Sequence, residues 1–205
     1  MTVLDNKMLT YELIVNSFKK LMKETGFQKI TVKMIAGESG IMRSTFYNYF
    51  QDKYEILEWI VDEDILSKVS VSTERKKYSN AARDLFKCFA EDKVFYKKAF
   101  EITGQNGFEE ILVSKVMPLF VEAYESVNFD YPNSLITREN MAHYQSLALV
   151  EFLKMWLCEN CFADADSDDV CEAFVFMLTQ GNSFSRQSTG LAALANEIKK
   201  AIKKS

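Results

Sequence analysis

Two prolines and seven glycines are all the strong helix breakers this chain of 205 residues contains, so long stretches run without anything to stop a helix. Within those stretches the apolar residues recur three and four positions apart, which lines them along one side of an α-helix rather than one face of a strand. The combination predicts an all-α fold. At 48% hydrophobic residues the chain can bury a sizeable core, and a disordered composition is set aside.

The spacing predicts a first amphipathic helix over about 7–24, with Leu9, Leu13, Ile14, Phe18, Leu21 and Met22 on its apolar side and Gly26 as its stop. Thr31 is the expected N-cap of a short helix through Ser39, which Gly40 closes. A second short helix follows over about 43–49, and Gln51-Asp52 breaks before a long helix over about 53–70. Further helices are expected over about 79–90, 92–101 and 108–126, the last kinked at Pro118, with Thr103-Gly104-Gln105-Asn106-Gly107 as an interruption. A loop over about 128–134 precedes apolar helices over about 137–161 and 168–180. A last helix over about 190–203 ends in Lys199, Lys200 and Lys203, where cations suit the helix dipole.

The formal charge is −4, but it is unevenly spread. Residues 1–53 hold eight Lys/Arg and five Asp/Glu, a net +3, while the remainder is net −7. A basic head on an acidic body fits local contact with phosphates. The chain opens Met1-Thr2-Val3-Leu4-Asp5 with no basic stretch leading into an apolar one, and no uncharged run approaches the ~18 residues of a membrane span. A cytoplasmic protein is expected.

Enzyme signatures are missing from the sequence. It has no Gly-rich phosphate loop, no H-E-x-x-H and no nucleophile elbow, and its one histidine, His143, has no evident partner. Glu109-Glu110 and Asp168-Asp169 stand at helix starts, where the dipole accounts for them. Cys158 and Cys161 form a C-x-x-C, with Cys88 and Cys171 elsewhere, but no second ligand pair has zinc spacing. Reduced thiols are expected, and the residues imply no catalytic group, metal or cofactor.

The chemistry concentrates in residues 31–53. Two short helices joined by a turn at Gly40-Ile41-Met42 are the parts of a helix-turn-helix. Val32, Ile35, Ala36, Ile41, Phe46 and Phe50 can form one small core, which leaves Arg43, Ser44, Tyr47 and Asn48 outward, with Thr45 and Tyr49 at the edges. Arg43 can bond two acceptors of a guanine, Asn48 an adenine edge, and Thr45 offers a methyl to thymine. Tyr47, Tyr49 and Lys53 are assigned to phosphates. Thr31 and Lys33, at the start of the first short helix, complete the candidate DNA-binding set.

The run Thr31-Val32-x-x-Ile35-Ala36-x-x-x-Gly40-Ile41-x-Arg43-x-Thr45-Phe46-Tyr47-Asn48-Tyr49-Phe50-x-x-Lys53-x-x-x-Leu57 closely resembles the DNA-binding segment of TetR-family regulators. The resemblance implies that the second short helix enters the major groove, and that Tyr47, Tyr49 and Lys53 hold the backbone. Met42 departs from it, standing where the family usually has a small polar cap, and Ser44 stands where glycine is frequent. The stretch Phe95-Tyr96-Lys97-Lys98-Ala99-Phe100, with Thr103 to Phe108 and Trp156-Leu157, is similar to a subgroup that includes regulators of dihydroxyacetone kinase operons.

From the resemblance follows a division into a DNA-binding domain at 1–53 and an effector-binding, dimerising domain at 54–205. It implies a ligand-responsive homodimer on a pseudo-palindromic operator, a repressor before an activator. The dimer surface would come from about 137–182, with Leu147, Val150, Leu153, Leu157, Phe174, Phe176 and Met177 supplying apolar area. Candidate contacts to an unidentified small-molecule effector are Tyr96, Phe100, Gln105, Phe120, Tyr124, His143 and Trp156. The low charge of the head leaves one alternative, a regulator of the same shape that works through a partner protein.

Overall fold

The computed structural model describes residues 3–74, 78–125, 136–159, 161–162 and 164–180. The loop expected over 128–134 and the last helix over 190–203 lie outside them. Among the described residues the regular structure is entirely helical. The head comprises α1 (Val3–Thr25), a 3₁₀ turn (Phe27–Lys29), α2 (Val32–Glu38) and α3 (Arg43–Phe46). A connector follows as α4 (Lys53–Ile60), a π-helical stretch (Val61–Leu66) and α5 (Ser67–Glu74). The body contains α6 (Tyr78–Glu91), α7 (Lys93–Phe100), α8 (Phe108–Glu125), α9 (Arg138–Cys158) and α10 (Ser167–Gln180).

Helix boundaries follow from side chains that satisfy otherwise unpaired backbone N–H groups. Thr31 accepts from the Met34 N–H at 3.3 Å, as expected. Asp52 accepts from the N–H groups of Tyr54 and Glu55 at 2.7 and 3.0 Å, so the expected break is also a cap. Thr137 and Asp166 start α9 and α10 in the same way. Pro118 sits inside α8, which continues to Glu125.

Ile14, Phe18 and Met22 of α1 are fully buried and belong to one apolar cluster that runs through Ile35, Phe46, Ile56, Ile60, Phe86 and Phe95 to Phe174. Head and body therefore share a core. Phe18 meets Phe95 of α7 at 6.5 Å between ring centroids, and Lys23 pairs with Asp92 at 2.7 Å, so α1 rests directly on the body. The connector is held from both sides, with Asp64 bonded to Lys19 of α1 and Asp62 to Lys115 of α8 at 2.6 Å. Its π-helical stretch was hidden in the sequence because the apolar spacing continues through it.

Two expectations are corrected by packing. Leu9 and Leu13 are 45% and 46% exposed, because the buried stripe of α1 is centred on Ile14, Phe18 and Met22 and they lie beside it. Four residues assigned to the dimer surface, Val150, Leu153, Leu157 and Phe174, are buried within the chain, since they face the helices of their own body. Leu147, Phe176 and Met177 of that set are exposed, as is Tyr144.

Candidate nucleic-acid interface

The turn before α3 is built from backbone chemistry. At the end of α2, Gly40 takes φ +67°, its N–H donates to the Gly37 carbonyl, and the Ile41 N–H reaches back to the Ala36 carbonyl at 3.0 Å. This paired closure satisfies carbonyls that α2 would leave unbonded, and it needs a residue that tolerates the left-handed region. It reverses the chain and launches α3 from Met42. Ile35, Ala36, Phe46 and Phe50 are buried behind it, with Val32 and Ile41 packed partly against them.

An aromatic bed holds α3 from below. Tyr11 of α1 meets Tyr49 and Phe50 edge-on at 4.9 and 5.2 Å and stacks on Trp59 of α4 at 5.9 Å. Phe50 in turn meets Phe46 at 6.1 Å and Trp59 at 6.4 Å. Two χ angles per ring make such a cluster stiff, so the outer face of α3 is presented on a rigid support. Tyr11 and Trp59 were not among the sequence candidates. Their signal was weak, one aromatic on each of two helices with no local motif.

Arg43, Ser44, Tyr47 and Asn48 are exposed together on the outer side, and Thr45 and Tyr49 are half-buried at its edges. Arg43 and Tyr47, one helical turn apart, are already joined. The guanidinium Nη2 donates to the Tyr47 hydroxyl at 3.1 Å, and the guanidinium carbon Cζ lies 5.7 Å from the ring centroid. Thr31 and Lys33 are exposed at the start of α2. The face thus carries donors, acceptors and one cation on a short protruding helix, which is what a major groove can accept.

Lys53 is placed differently. Its Nζ donates to the carbonyls of Phe27 and Ile30 at 2.8 and 3.0 Å and sits 4.2 Å above the Phe27 ring. Burial pushes its pKa below the ordinary lysine range, against a smaller opposing effect of Asp52. The ammonium has three N–H donors, so these two bonds leave one for a phosphate. Its main structural work is to tie the α1–α2 link to the start of α4. Asp52 and Glu55 beside it have the spacing of a capping pattern.

The seven candidate effector contacts do not line one cavity. Tyr96, Phe100 and Trp156 are buried in the core, where Tyr96 packs on Phe89 at 4.5 Å and Phe100 on Phe108 at 5.2 Å. Gln105 is exposed in the turn before α8, and Phe120 and Tyr124 are half-buried on α8. His143 is exposed and borders an open groove of about 580 Å³ between α8 and α9, lined also by Val113, Met117, Leu147, Glu109 and Glu151. Across it Lys154 pairs with Glu109 at 2.9 Å. No group of His, Cys, Asp and Glu among the described residues has a metal-binding arrangement, and Cys158 and Cys161 are free thiols. No helix among those residues is long and apolar enough to cross a membrane.

A short exposed helix braced on an aromatic bed, entered through a glycine turn and followed by a connector into a helical body, defines a helix-turn-helix regulator. The chain belongs to the TetR family of transcriptional regulators: residues 14–60 match the bacterial regulatory proteins of that family, and residues 76–166 match a transcriptional regulator C-terminal region. It is 33% identical over 94 residues to the HTH-type dhaKLM operon transcriptional activator DhaS of Lactococcus lactis subsp. lactis (strain IL1403), a match that covers 46% of this chain and half of that protein. A solved structure of a dihydroxyacetone kinase operon activator DhaS superposes with a TM-score of 0.64 at 22% identity, covering 83% of this chain and 94% of that one. Thermus thermophilus FadR in complex with lauroyl-CoA shares the fold, with a TM-score of 0.58 at 18% identity over 83% and 94% of the two chains.

Proposed function

We propose that this regulator binds a pseudo-palindromic operator as a homodimer and that a small molecule bound to its body sets the affinity. The observation that carries the reading is the exposed Arg43-Ser44-Tyr47-Asn48 face, stiffly supported on buried Phe46 and Phe50. Arg43, Ser44, Thr45 and Asn48 choose the sequence, and Thr31, Lys33, Tyr47 and Tyr49 set the register on phosphates. Lys53 supports the frame and offers its remaining N–H to the backbone. The DNA-binding part is residues 1–53, and residues 54–205 take effector and partner subunit.

In a dimer, exposed Tyr144 and Leu147 of α9 with Phe176 and Met177 of α10 supply the apolar area between subunits, within 137–182. The recognition helices then sit about one turn of DNA apart, ~34–36 Å. The lauroyl-CoA complex of the Thermus thermophilus protein supports an effector-binding body on this fold. Ligand binding would alter the spacing through the connector, which is bonded to α1 by Asp64 and to α8 by Asp62. The sequence resemblance implied repression, whereas the Lactococcus lactis relative is an activator, which favours activation as a second reading.

The test is affinity for the promoter DNA beside the protein's own gene, measured by fluorescence anisotropy at several salt concentrations. We expect preference over random DNA and a steep fall with salt. Arg43→Ala should lose roughly tenfold with relaxed sequence preference, and Tyr47→Ala a similar factor across all sequences. Absent or salt-independent binding, with both variants behaving as wild type, overturns the reading. A promoter-fused reporter gives the sign of control.

A further inference from the structure

Met42 is 74% exposed, the highest exposure among the large apolar side chains of the described residues. It stands at the N-cap of α3 with extended backbone, φ −72° and ψ 148°, and makes no side-chain cap bond. Several other helices among the described residues do begin with a side-chain cap. Thr31, Asp52, Asp92 and Thr137 each offer an oxygen to the first turn of α2, α4, α7 and α9. At the start of the recognition helix the chain forgoes both a cap and burial of the side chain it has put there.

Position explains the exchange. The first residues of a recognition helix are the ones that reach base edges, and Met42 adjoins exposed Arg43 and Ser44 at that end. A thioether carries no N–H or O–H and is only a weak acceptor, so it cannot pair with the hydrogen-bonding edge of a base. The major groove offers one apolar group, the C5-methyl of thymine. An unbranched, polarisable side chain with three rotatable bonds adapts well to such a surface. We infer that Met42 is a specificity-determining residue that reads a thymine methyl in each operator half-site. The inference rests on the operator-binding reading above.

Single exposed apolar residues are common, so the test must isolate the methyl. The full chain is titrated onto its own promoter fragment, with each thymine replaced in turn by deoxyuridine, which keeps every hydrogen bond and removes only the C5-methyl. For wild type we expect, besides any thymine that faces the Thr45 methyl, one thymine per half-site whose replacement weakens binding about fourfold, the worth of one buried methyl. Met42→Ser, which restores a capping oxygen, and Met42→Ala should bind thymine and deoxyuridine equally at that position while keeping sensitivity elsewhere. A melting temperature of Met42→Ser at or above wild type shows that the head is folded. Insensitivity of wild type to deoxyuridine at every position, or unchanged sensitivity in both variants, overturns the proposal while leaving operator binding intact. Failure of wild type to prefer the fragment over random DNA removes the operator reading itself and this inference with it.

Discussion

Replacing Lys53 by Met separates a scaffold role from a DNA-contact role, because Met keeps an unbranched apolar stem and loses only the ammonium. The structure gives Lys53 two charge-assisted hydrogen bonds, to the Phe27 and Ile30 carbonyls, and a place over the Phe27 ring. A hydrogen bond to a charged group contributes about 1.5–3 kcal/mol, and an exposed cation–ring contact about 0.5–1 kcal/mol. Lys53 is only half-buried, so water can replace part of what is lost, and the desolvation that lowers its pKa offsets part of the gain. We therefore expect a loss of about 2 kcal/mol, which for a protein of this size lowers the melting temperature by roughly 4–8 °C. Circular dichroism melts of wild type and Lys53→Met measure it directly. A melting temperature within about 1 °C of wild type, with a salt slope of DNA binding reduced by about one, would refute the argument and return Lys53 to a pure phosphate contact.

Gly40→Ala should destabilise the head by about 1 kcal/mol through backbone strain alone, since φ is +67° and no atom lies within 4 Å of the added Cβ. Gly40→Asn should recover part of this, and an alanine variant as stable as wild type in the same melts would contradict the turn geometry. Thiol labelling near neutral pH should modify exposed Cys161 first, because burial pushes the thiols of Cys88, Cys158 and Cys171 up and keeps them protonated. Mass mapping that finds Cys88 or Cys171 labelled ahead of Cys161 would be inconsistent with the packing. Burial also raises the Tyr96 phenol above the ordinary tyrosine value, so the folded state holds its proton where the unfolded state releases it. The stability of wild type relative to Tyr96→Phe should be constant below pH ~10 and fall as pH rises above it, and a flat difference would show that Tyr96 is accessible to solvent.

The head was legible because its determinants are local. Gly40 at the required left-handed position, Thr31 three residues before Met34, and the alternation of Ile35, Phe46 and Phe50 with outward residues are short-range patterns that the chain carries before it folds. The body was less so. An apolar residue on a helix says that something covers it, but not whether the cover is the same chain or another. Leu147 and Val150 look alike in sequence, yet one is exposed and the other 3% accessible. For the same reason the residues proposed as effector contacts separated into core, turn and surface once the helices were packed.

On the recognition helix, the sequence alone determined the all-helical class, the helix-turn-helix and the set of side chains it turns outward, because periodicity, caps and glycine positions act within a few residues. Tertiary structure alone decided what those side chains are free to do. It spent two of the three Lys53 donors on carbonyls more than twenty residues away, braced α3 on Tyr11 and Trp59, and joined the connector to α1 and α8 through Asp64 and Asp62. Such contacts depend on how helices cross, and that is set by the fit of the whole core rather than by any local run of residues.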